Sequence, residues 1–201
     1  EKKSVNNIMI ALYAFVIISF FITIVDIIIR FPLQSEMIDY NDIQAIVINV
    51  LALLIQIVSF AYGFVNAIRG MLSPKRMGAV ITAFFAATCI TGTGNMVINS
   101  NVQIVLWWIV LIIPNIVGAV VTFAYFVSGK KSKIYSIIIY LVAIWGMFRI
   151  IYSNYNLIVH ANQYLSMNST VRLVLEIAIH CLVIYQTYVL WIKRQNAIDI
   201  S

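Results

Sequence analysis

The sequence predicts an all-α fold, a polytopic integral membrane bundle of six transmembrane helices with both termini on the cytoplasmic side (N-in/C-in). Three observations predict it. Of 201 residues, 63% are hydrophobic and 10% charged, against about half and about a quarter in a soluble domain. Too few polar side chains remain to cover a water-facing surface, so the medium around most of the chain must be lipid. The apolar residues form six continuous runs, each close to the roughly 20 residues a helix needs to cross hydrocarbon. The cationic residues, Arg30, Arg149 and Arg172 apart, cluster at the termini and in alternate connections between those runs.

The runs fall at about 8–29, 43–68, 77–98, 103–127, 134–152 and 171–192. Backbone inside a bilayer must satisfy its own hydrogen bonds, so runs of this length are expected as helices rather than open strands. A β-barrel would show segments of roughly ten alternating residues, and these runs do not alternate. The first is too long for a signal-peptide core and has no small-residue cleavage site, so it is expected to be a retained helix. Phe31-Pro32 is expected to close it, and Gly70 through Pro74 to separate the second run from the third. Asn99-Ser100-Asn101 and Gly129 through Lys133 mark the next two breaks. Six spans and short connections use nearly the whole length, which predicts one membrane domain over 1–201.

Charge decides the orientation. Lys2 and Lys3 precede the first run, and Arg69, Lys75 and Arg76 flank the second connection. Lys130, Lys131 and Lys133 fill the fourth, and Lys193 and Arg194 end the sixth run. The first connection instead carries Glu36, Asp39 and Asp42, the third has no charge, and the fifth has Arg172 alone. Cationic connections are retained in the cytoplasm, so six spans with both ends inside fit this alternation and five or seven do not. The net charge of +6 is therefore a topology signal, with no basic, aromatic-interleaved run that would point to nucleic acid. Trp107, Trp108 and Trp191 lie near the ends of runs, where aromatic rings favour the headgroup level. Cys89 and Cys181 both fall inside spans, where small apolar packing is the expected role.

Ionisable groups inside a bilayer are costly and mark functional candidates. Asp26, Arg149, Glu176 and His180 qualify. Arg172, Glu176 and His180 are spaced by four and share one helical face, which lipid would not solvate and which should therefore turn inward. Arg149 has a depth similar to Glu176, and an interhelical ion pair between them is one expectation; a ligand-binding role is the other. Asp26 can pair locally with Arg30. In the third run, Thr91-Gly92-Thr93-Gly94-Asn95 places two glycines and three polar side chains together. Two outcomes are open there: close helix packing, or an unwound segment presenting backbone groups to a cavity. Pro114 is expected to kink the fourth run, with Asn115 either capping the freed carbonyl or facing a cavity. Asn49 and Gln56 are expected to bond across helices. The segment 153–170 is expected as either an interfacial helix or lid, or an ordinary loop.

No catalytic motif is present. There is no Gly-x-Ser-x-Gly elbow, no His-Glu-x-x-His and no phosphate loop, so no enzymatic activity, metal or cofactor is expected. The expected function is membrane transport or solute binding, through a polar pocket in the outer half of the bundle lined by Arg149, Glu176, His180, Asn95, Thr91 and Thr93. The partners expected are the lipid bilayer, a small-molecule solute and other membrane subunits, with no nucleic acid. The expected location is the plasma membrane of a bacterium or archaeon. Six helices with both ends inside in a chain of this size is similar in layout to the substrate-capture subunits of energy-coupling-factor vitamin transporters. That resemblance implies a solute pocket open to the exterior. Those subunits carry an Ala-x-x-x-Ala face on the first helix; here Ala11 and Ala14 are three apart. The alternative is a non-catalytic interaction protein: a subunit of a larger membrane complex, a sensor domain or an immunity-type protein.

Overall fold

The computed structural model describes residues 2–34, 40–98, 102–129, 133–153, 174 and 177–189, with some side chains inside those helices left aside. Among the described residues there is no strand. The helices are α1 (Lys2–Gln34), α2 (Tyr40–Ile68), α3 (Pro74–Ile98), α4 (Val102–Thr122), a π-helical turn (Phe123–Val127), α5 (Lys133–Ser153) and α6 (Ile177–Val189). Three stretches are long and apolar enough to cross a membrane: Ile46–Ile68, Pro74–Thr93 and Ile109–Val127. Asn6–Ile22 and Ile177–Val189 are further apolar stretches of shorter described length. The segment 154–173 lies outside the described residues, as do Trp191 and the side chains of Trp107, Trp108, Asp26 and Arg30.

Successive helices pack on one another: α1 on α2, α2 on α3, α3 on α4 and the π turn, and α4 on α5. From α1 to α4 they run antiparallel. Asn6 Nδ2 near the start of α1 donates to the Ala67 carbonyl at the end of α2, 3.0 Å away. Along α3 and α4 the contacts descend in opposite order. A side chain at Gly78 would meet Phe126, one at Gly118 would meet Phe85, and Cys89 Sγ lies 3.9 Å from the Ile112 carbonyl.

The α2–α3 connection is built locally. Gly70 has φ of 65°, a left-handed conformation that only glycine adopts without steric cost. Its N–H donates to the Ala67 carbonyl (3.0 Å) and that of Met71 to the Asn66 carbonyl (2.9 Å), the paired bonds of a Schellman stop. Ser73 Oγ then accepts from the Arg76 N–H at 3.3 Å. Pro74 at the first helical position is pre-set for that start.

One core runs through the bundle. Met9, Tyr13, Val16 and Phe20 recur every three or four residues along α1 and pack with Phe60, Phe84, Ile139 and Leu182 from α2, α3, α5 and α6. Aromatic rings link the helices across it: Tyr13 and Phe20 contact Phe60, Phe60 contacts Phe84, and Phe84 contacts Phe85, at centroid separations of 5.5 to 6.3 Å. The outward faces are aliphatic as well. Val58 is 67% exposed and Val120 62% exposed. Helices apolar all round belong in lipid or in a larger core.

Two local expectations are revised, and one that stood open is resolved. Phe31-Pro32 does not close the first helix; α1 continues to Gln34. Pro32 lies in the last turn, where its missing N–H leaves the Ile28 carbonyl without its helical donor. The stretch 91–95 does not unwind, since α3 is α-helical through it to Ile98, with Gly92 buried. The fourth run, 103–127, is not one regular helix. It changes at Thr122 into the π turn, where the Ser128 N–H reaches back five residues to the Phe123 carbonyl (2.9 Å). Its widened turn buries the consecutive Tyr125 and Phe126, edge to face at 4.6 Å.

Candidate functional site

The polar side chains of these helices are mostly consumed within their own helix. The Thr82, Thr88 and Thr93 hydroxyls donate to the carbonyls of Gly78, Phe84 and Cys89 at 2.8, 3.0 and 2.8 Å. Ser19 bonds Phe15, Thr187 bonds Val183, and Asn66 bonds Tyr62. Each reaches four residues back, the nearest acceptor for a short polar side chain with no water at hand. Asn115 does the same: its Nδ2 donates to the Leu111 carbonyl at 2.7 Å. Pro114 frees the Val110 carbonyl, one residue earlier, so Asn115 braces the adjacent step rather than capping the gap. Gln56 is half-buried and Asn49 exposed.

His180 is different. It is buried on α6, stands edge-on to Phe84 of α3 at 5.3 Å and 87°, and lies against Gly146 of α5. A Cβ at residue 146 would fall 2.7 Å from its Nε2, so the imidazole occupies space that only glycine leaves open. Arg149 is three residues beyond Gly146 and therefore on the same face of α5, the one turned to α6. It is half-buried, and neither it nor His180 is without an interaction partner.

The sequence-derived site residues separate as follows. His180 comes to the α5–α6 contact, with Phe84 closing the α3 side; Arg149, half-buried, stands about one turn along α5 from Gly146. Thr91 is half-buried and engaged. Thr93 is exposed and bonded to its own helix. Glu176 and the side chain of Asn95 lie outside the described residues. Among the described residues no group of three His, Cys, Asp or Glu could hold a metal ion, and Cys89 and Cys181 are free thiols.

Four side chains outside that set carry buried polar atoms with no hydrogen-bond partner: Tyr13 Oη, Thr122 Oγ1, Tyr140 Oη and both amide atoms of Gln186. The sequence signal for Gln186 was present, a polar amide inside an apolar run, the same signal that singles out Asn49 and Gln56. Phe84 and Gly146 carry no such signal, because which helix packs on which is not written in the spacing of either.

No family model, curated protein or solved structure matches this chain. Its class therefore rests on its own features: an α-helical bundle with three helices long and apolar enough to cross a membrane, consistent with membrane association.

Proposed function

We propose that this protein is a six-span, N-in/C-in component of a bacterial or archaeal plasma membrane that binds a small solute in the outer half of its bundle, as a transport or solute-capture subunit. One observation carries the reading. A buried imidazole lies at the α5–α6 contact, and half-buried Arg149 stands about one turn along α5 from the glycine it packs on, in a protein whose other polar side chains largely bond back to their own helices. Ionisable groups at such depth commonly mark a solute or ion site. Glu176, four residues before His180, would add a carboxylate to the same helical face. Arg149 and Glu176 would then grip a polar or zwitterionic solute, with His180 as its floor.

The test is retention. Protein purified in mild detergent is denatured and the released small molecules are identified by mass spectrometry, for wild type and for the R149Q and E176Q variants. A solute held by wild type and lost from both variants, at unchanged helical content, supports the proposal. Wild type that carries no solute, with variants that lose only stability, overturns it. Topology is checked separately by a carboxyl-terminal tag, which should be reachable only after permeabilisation.

A second reading, a non-catalytic interaction subunit, draws on the packing of His180. An imidazole wedged between Phe84 and Gly146 leaves little room beside it, as a purely structural contact would. Protein partners that co-purify in stoichiometric amount, in the absence of a retained solute, would favour it.

A further inference from the structure

We propose that the hairpin joining α2 to α3 is a docking site for the phosphate headgroup of an anionic phospholipid. The connection carries three cations, Arg69, Lys75 and Arg76, and the sequence has no Asp or Glu anywhere between Asp42 and Glu176. The helices meeting at this hairpin thus supply no carboxylate to neutralise it. Among the described residues, none forms an ion pair with these three cations. Arg69 and Lys75 are exposed and open to a counter-charge from outside the protein.

The position of the turn identifies the source of that charge. One apolar stretch ends at Ile68 and the next begins at Pro74. If those two helices cross the bilayer, residues 69–73 have nowhere to lie except at its surface, where lipid phosphates are. Exposed Ile68 and Met71 sit beside the cations and would contact the upper acyl chains, an arrangement in which basic side chains reach headgroups from an apolar footing. The turn is also held rigid before any lipid arrives. The Schellman bonds and the Ser73 cap fix the backbone, and Arg76 Nη1 donates to the Met71 carbonyl at 2.7 Å. Little ordering remains to oppose binding. The proposal needs only that α2 and α3 span the membrane, and is independent of any solute pocket.

The experiment titrates purified protein in neutral detergent with short-chain phosphatidylglycerol, phosphatidylcholine or inorganic phosphate. Bound lipid is counted by native mass spectrometry and thermal stability is followed in parallel. Wild type should bind phosphatidylglycerol in preference to phosphatidylcholine, with an affinity that falls as salt rises, and should not respond to inorganic phosphate. The R69Q/K75Q double variant removes two exposed cations and leaves the turn-bracing Arg76 in place; it should fold normally and bind phosphatidylglycerol about 30-fold more weakly. Equal binding of the two lipids, a response to inorganic phosphate matching that to phosphatidylglycerol, or undiminished lipid binding by the double variant would each overturn the proposal.

Discussion

Replacing Gln186 by leucine should make this protein more stable. Gln186 has no solvent exposure, and neither its Oε1 nor its Nε2 has a hydrogen-bond partner. Its neighbours on α6, Leu182, Val183 and Val189, belong to the apolar core. A buried polar group left without a partner costs about 1–3 kcal/mol, whereas an apolar group of the same shape removes that penalty. Leucine is close to glutamine in length and breadth and fits with little repacking. Unfolded helices in a micelle also find partners for a polar side chain, which trims the gain. The expected increase is about 1–2 kcal/mol.

The assay is equilibrium unfolding in mixed micelles of increasing denaturing-detergent fraction, followed by circular dichroism, on wild type, Q186L and Q186A. Q186L should shift the midpoint toward more denaturant. Q186A should fall below Q186L by about 2 kcal/mol or more, because it leaves a cavity where leucine fills one. A Q186L variant less stable than wild type would refute the reasoning. It would mean that the amide is satisfied in the membrane by a contact worth more than its burial costs.

Three other substitutions probe the close contacts. G63A places a methyl 2.5 Å from the Tyr13 ring and should destabilise the α1–α2 contact by about 1–3 kcal/mol, read as a lower midpoint in the same assay. G146A crowds His180 Nε2 at 2.7 Å; it should reduce solute retention more than it reduces stability, if the imidazole floors a binding site. S73A removes the hydroxyl that caps α3 and should cost about 1 kcal/mol with no effect on solute retention.

The helical architecture was legible because it follows from medium and length alone. An apolar run of some 20 residues has one way to satisfy its backbone in lipid, and α2 and α5 begin and end within three residues of the runs at 43–68 and 134–152. Punctuation was legible where it acts through backbone geometry, as at Gly70 and at Ser73-Pro74. It was ambiguous at the 91–95 stretch, which fits either a break or a packed helix. The glycines at 92 and 94 resemble a break, yet the helix continues, because a bilayer leaves an unwound backbone without hydrogen-bond partners. The π turn had no sequence signal, since what it achieves, burial of Tyr125 and Phe126 together, depends on α3 lying alongside. For the site, the four-residue spacing was enough to turn His180 inward. It could not name Phe84 or Gly146, which come from other helices.

Polar residues within these helices thus differ in what they are evidence for. Thr82, Thr88, Thr93, Asn66, Asn115 and Thr187 answer to carbonyls one turn back, so their polarity implies no ligand and their presence in a span needs no functional explanation. His180 is another case: an imidazole packed against an aromatic ring and a glycine is held in one orientation, and holding it there requires a small residue at position 146. A structural contact alone would be served as well by leucine opposite alanine, a combination far cheaper to bury than imidazole. H180L combined with G146A therefore separates the two readings. The interaction-subunit reading expects the pair of changes to restore the stability lost by G146A alone and to leave partner binding intact. The solute-binding reading expects the same recovery of stability, with the solute lost.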